Sequence, residues 1–331
     1  MIAEHLATWD TPFVELAIYG TSDAAVIAAQ LDALARRVLG SQITGARFCN
    51  ASFGSVSGVV LADGREVVIK VYQPRTAVTQ LAEQVRIRGH LAISPRVLAG
   101  PVPIAHGHAT IEVYADGTWR DPHEPATRRL VAHGLHTLVE ACRPLVATSS
   151  LEPLMFSNLP DDQLWPTPHS KLFHFAATAA GAEWIDDVAR AARAVPAAGE
   201  LVIGHADWRA EHLRFEGESI SVAYDWDSLA RDREPALVGI SAHAFAADWS
   251  RQGRAQAPTL DEARAYVADY EQARGRGFEP DERRALAASF AFTCAYTARC
   301  GHALGARERD VPGTFQHLVA QHGVGLLQLS G

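Results

Sequence analysis

The sequence predicts an α+β fold of two lobes, an antiparallel β-sheet lobe with helices followed by a mostly helical lobe. Short β-branched runs are concentrated in residues 43–113, and Asp63-Gly64, a dipeptide typical of hairpin turns, separates two of them. Farther along the chain, apolar residues recur at helical spacing. These patterns predict a β-rich first part of the chain and a helical second part.

Composition excludes several classes of protein. The chain has 331 residues, of which 48% are hydrophobic and 21% are charged, as in an ordinary globular protein. The net charge of −8 argues against a nucleic-acid surface, because phosphate binding needs clustered Lys and Arg. An acidic balance suits a cationic small substrate, and it serves solubility equally well.

Cysteine usage and hydropathy indicate the compartment. Four scattered cysteines without a Cys-x-x-Cys pair predict reduced thiols rather than disulfides or a structural zinc site. No apolar stretch reaches the roughly 20 residues that a membrane span needs. The first ten residues contain no basic segment before an apolar one, so we expect no signal peptide. These features predict a cytoplasmic protein that does not enter membranes.

The first lobe begins with a predicted helix over residues 22–39, capped by Ser22 or Asp23 and ended by Gly40. Residues 1–40 are therefore expected to form a helical extension. The stretch that follows is expected to supply a sheet of about five strands.

Lys70 is the most informative residue of this lobe. It is the only lysine before Lys171, and it lies inside the β-branched run Val67–Val71. A small-residue turn, predicted over Ser52–Gly58, precedes it, and a predicted helix with Glu83 near its middle follows it. Protein kinases place their phosphate-binding lysine in such a strand. The alternative is an outward-facing lysine on a half-solvated sheet.

Polar residues of the second lobe concentrate in residues 201–229. An apolar run leads into His205-Ala206-Asp207, and a second alternating run leads into Asp225-Trp226-Asp227. If those two runs pair as strands, both carboxylates face one cleft. Phosphoryl transfer uses such an arrangement, since one carboxylate orients a hydroxyl and accepts its proton while another holds a metal on the phosphates.

Helices are predicted around this central stretch, with an irregular segment over residues 149–168. The predicted helices cover residues 124–146, 169–195, 235–249, 259–275 and 280–304.

The His205-x-Asp207 triplet followed by Asp225-Trp226-Asp227 resembles the catalytic and metal-binding loops of the aminoglycoside phosphotransferase and choline kinase-like family. The resemblance covers about residues 43–305 and implies a bilobal protein-kinase-like fold. Residues 110–118 resemble the hinge of that fold and place the boundary near Ala115, between a β-rich lobe, residues 1–115, and a helical lobe, residues 116–331. It implies ATP, with GTP as an alternative, as the phosphoryl donor. The acceptor would be a small hydroxyl-bearing, amine-containing molecule such as an aminoglycoside-like compound.

The resemblance also implies roles for individual residues. Asp207 would be the catalytic base, His205 would hold the shape of the loop, and Arg209 would neutralise charge on the transferred phosphoryl group. Nucleotide binding would involve the small-residue turn, the strand lysine with its helix partner, and backbone groups of a hinge at residues 110–118: Ser55, Ser57, Lys70, Glu83, Glu112 and Tyr114. Asp225 would bind Mg²⁺, with Asp227 as a second candidate ligand.

His212 departs from the family's pattern, which has Asn five residues after the catalytic Asp. An Asn carbonyl suits Mg²⁺, whereas a neutral imidazole is better matched to Mn²⁺ or Zn²⁺. Two outcomes are therefore open. His212 either turns away from the metal, or it contacts the metal and shifts the preference toward Mn²⁺.

Two other functions stay open at this stage. The missing Asn is compatible with a kinase-like protein that binds a nucleotide or ligand without transferring a phosphoryl group. A metallohydrolase could use His205, Asp207, His212 and Asp225, but it would leave Lys70 without a role. Acidic residues on the later predicted helices could also contribute to a pocket for a cationic acceptor: Asp261, Glu262, Asp269 and Glu271.

Overall fold

The computed structural model describes residues 12–51, 53–168, 170–251 and 253–329. These residues fall into two compact units, divided between Asp116 and Gly117. The first unit contains a five-stranded antiparallel sheet and the second is mainly helical, which confirms the predicted fold class. Within the described part of the chain, no helix has both the length and the apolar character needed to cross a membrane.

Two helices open the described part of the first unit: α1, Phe13–Tyr19, and α2, Ala24–Leu39. Asp23 caps α2, because its carboxylate accepts hydrogen bonds from two backbone N–H groups of the first turn at 2.8 and 3.2 Å. Gly40 ends the helix in the left-handed conformation, at φ 71°. The earlier part of the predicted helical extension, residues 1–11, lies outside the described residues.

The sheet has the strand order β1-β2-β3-β5-β4. Its strands are β1, Ile43–Ala51; β2, Ser55–Leu61; β3, Glu66–Tyr72; β4, Val97–Ile104; and β5, Gly107–Val113. The predicted hairpin at Asp63-Gly64 joins β2 to β3, and Gly64 has the positive φ of 84° that this turn requires. Helix α3, Val78–Arg88, follows β3.

One face of the sheet packs against α1 and α2. Side chains from alternate strand positions are fully buried there with side chains of α2: Ile27, Leu31, Val59, Ile69 and Ile111. Successive strand residues point to opposite faces. Lys70 therefore lies on the other face, paired in register with Val56 of β2 and Thr110 of β5.

The described part of the second unit contains six α-helices and four short strands. The helices are α4, Pro125–Cys142; α5, Glu183–Arg193; α6, Glu234–Ala244; α7, Leu260–Arg274; α8, Pro280–Ala303; and α9, Phe315–His322. Four of the five predicted helices are confirmed to within a few residues at most ends, and α9 was not predicted.

The predicted helix over residues 169–195 is wrong in its first half. Residue 169 lies outside the described residues, residues 170–182 form turns, and α5 begins at Glu183. Tertiary contacts take the backbone groups that a helix would need. Arg299 donates a hydrogen bond to the carbonyl of Phe175 at 2.6 Å, and the ring of His302 donates one to the carbonyl of Ala180 at 3.2 Å.

Helices α6 and α8 approach closely at Gly239. A Cβ added to this residue would lie 2.4 Å from the carbonyl oxygen of Leu286 and 2.7 Å from the Cβ of Ser289. We expect Gly239→Ala to lower the free energy of unfolding by about 1–3 kcal/mol, because the helices must separate. Urea denaturation measures this loss. Gly325→Ala is the control, since nothing lies within 4 Å of its added Cβ. Equal losses in the two variants would contradict the packing explanation.

Candidate active site

The candidate catalytic residues follow β6, Leu201–His205, which pairs antiparallel with β9, Leu229–Arg233. Strand β7, Leu213–Glu216, pairs with β8, Ser219–Ala223. The run before Asp207 therefore does not pair with the run before Asp225, so the condition set by the sequence for bringing the two carboxylates together is not met in that form.

The reason for this pairing is a tight turn after β7. Glu216 pairs with Ser219 across two intervening residues, and Gly217 takes a positive φ of 52°. Such a turn closes a hairpin between neighbouring segments at little entropic cost. The run that precedes Asp225 is thus occupied by β7 and is not available to β6.

Hydrogen bonds bring the two loops together without strand pairing between β6 and β8. Nε2 of His205 donates to the carbonyl of Tyr224 at 2.9 Å, and the backbone N–H of Tyr224 donates to the carbonyl of His212 at 2.9 Å. Asp225 follows Tyr224 directly. It is therefore held beside the loop that carries Asp207 and His212.

His205 is fully buried, and both of its ring nitrogens are used inside the loop. Nδ1 accepts the backbone N–H of Asp207 at 3.2 Å, while Nε2 donates to Tyr224. Burial lowers the pKa of His205 to about 4, so the ring is neutral at physiological pH. These two contacts join His205 to the backbone of Asp207 and of Tyr224, and its role in holding the shape of the loop stays a prediction.

The two carboxylate oxygens of Asp207 are contacted by different side chains. Nη1 of Arg209 lies 3.3 Å from Oδ1, and Nε2 of His212 lies 3.1 Å from Oδ2. Burial by itself raises the pKa of Asp207, but the charge of Arg209 and the hydrogen bond from His212 hold that pKa well below its ordinary value. Asp207 is therefore ionised throughout the physiological range.

Asp207, His212 and Asp225 form a compact group of candidate metal ligands. Each offers one atom such that these atoms all lie within 4.8 Å of one another. Nε2 of His212 lies 3.9 Å from Oδ2 of Asp225, so the imidazole does not turn away from the two carboxylates. Two carboxylates and one imidazole are a donor set that fits a divalent cation such as Mg²⁺ or Mn²⁺.

Asp225 has an uncommon backbone conformation, φ 62° and ψ 42°, in the left-handed region. A single 3₁₀ turn, Trp226–Ser228, follows it. The chain therefore turns at Asp225 rather than continuing as a strand. Asp227 lies within this turn and is not part of the compact group formed by the described residues.

Sequence reasoning missed Glu211. Its Oε2 lies 3.1 Å from Nη2 of Arg209 and accepts the backbone N–H of Trp249 at 3.3 Å. Arg209 is thus held between two carboxylates rather than extending alone from the loop. The available signal was the position of Glu211 two residues after Arg209, since opposite charges this close in a short loop often form an ion pair.

In the first unit, Nζ of Lys70 lies 5.5 Å from the centre of the Tyr72 ring. Both carboxylate oxygens of Glu83, which is buried on α3, accept hydrogen bonds from Arg86 at 2.7 Å. Glu112 on β5 forms an ion pair with the buried Arg88. The roles of Lys70, Glu83 and Glu112 toward a nucleotide stay predictions.

The predicted small-residue turn is too long, because β2 begins at Ser55. Ser55 and Ser57 are buried strand residues, and the hydroxyl of Tyr19 donates to Oγ of Ser55 at 3.0 Å. Their side chains face the packed side of the sheet. Between β1 and β2 the described residues 53 and 54 form a bend, and Ser52 lies outside the described residues.

Tyr114 follows β5 at the predicted hinge. Its backbone N–H donates to the carbonyl of Glu66 at 3.0 Å, and its hydroxyl donates to Asp116 at 3.1 Å. The guanidinium of Arg47 lies 5.0 Å from the centre of its ring. These contacts fix the end of β5 within the first unit.

The acidic residues of α7 are paired within the second unit. The pairs are Asp261 with Arg264 at 3.2 Å, Glu262 with His123 at 2.8 Å, Asp269 with Arg128 at 2.9 Å, and Glu271 with Arg283 at 2.6 Å. Each of these carboxylates has a basic side chain of the same unit as its partner, so we do not assign recognition of a cationic acceptor to them.

Comparison with solved structures shows which proteins share the fold of this chain. The sequence matches no protein-family model and no curated protein. An amicoumacin kinase solved with AMP-PNP, Ca²⁺ and Ami matches with a TM-score of 0.58 at 8% identity, over 92% of this chain and 96% of that chain. A spectinomycin phosphotransferase solved with ADP and spectinomycin matches with a TM-score of 0.54 at 11% identity, over 92% and 97%.

An ethanolamine kinase from Plasmodium vivax matches with a TM-score of 0.52 at 14% identity, over 94% of this chain and 88% of that chain. The chain therefore has a kinase-like fold. More narrowly, the chain shares its fold with this amicoumacin kinase, this spectinomycin phosphotransferase and this ethanolamine kinase, which confirms the fold that the resemblance implied.

Proposed function

We propose that the protein is a phosphotransferase that moves the γ-phosphoryl group of ATP, with GTP as an alternative donor, to a hydroxyl of a small molecule. The observation that carries this proposal is the convergence of Asp207, His212 and Asp225 within 4.8 Å. The fold supports it, since structural neighbours named as kinases or phosphotransferases were solved with AMP-PNP and with ADP.

Asp207 orients the acceptor hydroxyl in this proposal. Its carboxylate is ionised and is held in place by Arg209. The hydroxyl donates a hydrogen bond to it and passes its proton to it as the oxygen attacks the γ-phosphorus, while the bond from that phosphorus to the bridging oxygen breaks and ADP leaves. Because the pKa of Asp207 is well below its ordinary value, orientation is the larger part of its contribution.

Asp225 and His212 hold the divalent cation, Mg²⁺ or alternatively Mn²⁺. When bound, this cation neutralises charge on the phosphate oxygens. The left-handed conformation of Asp225 directs its carboxylate to the group that contains His212. Conformations of this kind are concentrated at functional sites.

Lys70 binds phosphate oxygens of the nucleotide, and Glu83 helps to orient it. Backbone groups near Glu112 and Tyr114 recognise the base. Lys70 lies on the face of the sheet opposite α1 and α2 and follows the short bend at residues 53–54, and both features support these assignments.

The proposed acceptor carries a hydroxyl and an amine, as an aminoglycoside-like compound does. The negative net charge of −8 and the fold of the spectinomycin phosphotransferase support an acceptor of this kind. A panel of hydroxylated amines, incubated with ATP and Mg²⁺ or Mn²⁺ and followed by mass spectrometry, tests it. A phosphorylated product is expected. If no hydroxylated amine is phosphorylated but neutral alcohols are, the acceptor does not need an amine and that part of the proposal is wrong.

A second candidate is a kinase-like protein that binds nucleotide without transferring its phosphoryl group. The contact between His212 and Oδ2 of Asp207 at 3.1 Å favours it, since it occupies an oxygen that a hydroxyl would use. Tight binding of an ATP analogue without product from any acceptor or from water would favour this candidate.

His212→Asn distinguishes a metal ligand from a bystander. If His212 contacts the cation, the parent should work at least as well with Mn²⁺ as with Mg²⁺, because imidazole nitrogen suits Mn²⁺ better than Mg²⁺. The Asn variant should be active and should favour Mg²⁺ at least a few-fold more than the parent does. Initial rates with each metal measure this ratio. A variant with the parent's metal preference would show that His212 is no ligand.

A further inference from the structure

Asp207, Arg209 and Glu211 form a row of alternating charges on the catalytic loop. Nη1 of Arg209 lies 3.3 Å from Oδ1 of Asp207, and Nη2 lies 3.1 Å from Oε2 of Glu211. The side chain of Arg209 is 18% exposed. Its charge is therefore screened by solvent less than that of a surface arginine, and each of the two carboxylates interacts with a different nitrogen of the guanidinium.

The position of Glu211 is fixed by the segment that follows α6. The backbone N–H of Trp249 donates to Oε2 of Glu211 at 3.3 Å. The backbone N–H of Ala210 donates to the carbonyl of Phe245 at 3.0 Å. These two bonds tie residues 245–249 to the catalytic loop and hold the carboxylate where it meets the guanidinium.

We propose that Glu211 is a positioning residue that neutralises part of the charge of Arg209 and thereby sets the affinity of the Asp207–His212–Asp225 group for a divalent cation. The inference rests on the proposed function, in which Asp225 and His212 hold the metal next to the carboxylate of Asp207. A guanidinium beside Asp207 repels a cation that approaches the same carboxylate. Glu211 offsets that repulsion, because it binds the second guanidinium nitrogen.

Glu211→Gln is the informative substitution. The amide keeps the size of the side chain and an oxygen that accepts the Trp249 N–H, but it removes the charge opposite Arg209. We expect the Kd for Mn²⁺, measured by electron paramagnetic resonance of the free ion, to rise about tenfold, within the range seen for residues of one ion-pair network.

A double-mutant cycle separates an effect through Arg209 from a direct one. In an Arg209→Ala background, Glu211→Gln should change the Kd for Mn²⁺ by less than about twofold, because the charge that Glu211 neutralises is gone. In an Arg209→Lys background the charge is retained, and most of the weakening should return. Thermal unfolding confirms that each variant is folded, and the Lys background also serves if the Ala variant does not fold.

Glu271→Gln is the matched control, since Glu271 also pairs with an arginine and accepts a backbone N–H, from Phe278 at 2.7 Å. It should leave Mn²⁺ binding unchanged. Equal weakening by Glu211→Gln in the parent and in Arg209→Ala would show direct action through space and would overturn the proposal. The proposal would also be overturned if Glu211→Gln did not weaken Mn²⁺ binding in the parent, or if Glu271→Gln weakened it equally.

Failure of the proposed function gives a different result. Mn²⁺ binding requires no acceptor and no phosphoryl transfer. A parent protein that binds Mn²⁺ but transfers nothing would refute the phosphotransferase assignment, and the cycle would still decide the role of Glu211. A parent that binds no Mn²⁺ would overturn the inference itself.

Discussion

Asp207→Asn should lose turnover while nucleotide binding is retained. The amide keeps the shape of the side chain, but it has no charge with which to orient the acceptor hydroxyl and cannot take its proton, and positioned acid–base groups contribute roughly 10²–10⁴ in rate. The loss should appear in kcat, because the side chain acts on the hydroxyl and not on the bound nucleotide. Steady-state kinetics with the acceptor and calorimetry with an ATP analogue measure the two quantities separately.

The control for this substitution is Asp161→Asn, the same chemical change on an exposed residue of the irregular segment before α5. It should leave kcat unaltered. An Asp207→Asn variant that turns over as fast as the parent would show that the assignment of Asp207 is wrong.

Lys70→Ala and Asp225→Ala should each weaken binding of ATP in the presence of a divalent cation. One substitution removes a cation directed at phosphate, and the other removes a ligand of the metal. Hydrogen bonds to charged groups contribute about 1.5–3 kcal/mol, which corresponds to roughly a tenfold to hundredfold change in Kd. Isothermal titration calorimetry measures the affinity.

Lys171→Ala is the control for Lys70→Ala, since Lys171 is an exposed lysine in a turn. Its affinity for ATP should equal that of the parent. Unchanged affinity and stoichiometry in both Lys70→Ala and Asp225→Ala would place the nucleotide site elsewhere.

Local signals were sufficient for much of the fold. The hairpin at Asp63-Gly64 and the Asp23 cap follow from short-range backbone chemistry, and both are present as predicted. The helical pattern after residue 259 also predicts α7 and α8 closely, because a long apolar repeat leaves few alternatives.

Predictions that depended on distant contacts were less successful. The pairing of β6 with β9 could not be read from the runs themselves, because a strand pattern does not specify its partner. Residues 170–182 do not form the predicted helix, because Arg299 and His302, which are distant in sequence, donate hydrogen bonds to backbone carbonyls of this segment.

The candidate site shows the same division. The sequence singled out Asp207, His212 and Asp225, and the structure brings these three together. It did not reveal that the hydrogen bonds of Tyr224 would join the loops, or that Glu211 would hold Arg209. Side-chain type indicates which chemistry is available, whereas the spacing of charges depends on how the loops pack.

Transfer of label from [γ-³²P]ATP tests the central claim most directly. The parent protein, incubated with labelled ATP, a divalent cation and the acceptor found in the panel, should place the label on a hydroxyl of that acceptor. Asp207→Asn should place little or none there. Label that appears only as inorganic phosphate, or that reaches the acceptor equally fast with Asp207→Asn, would contradict the proposal that this loop catalyses phosphoryl transfer.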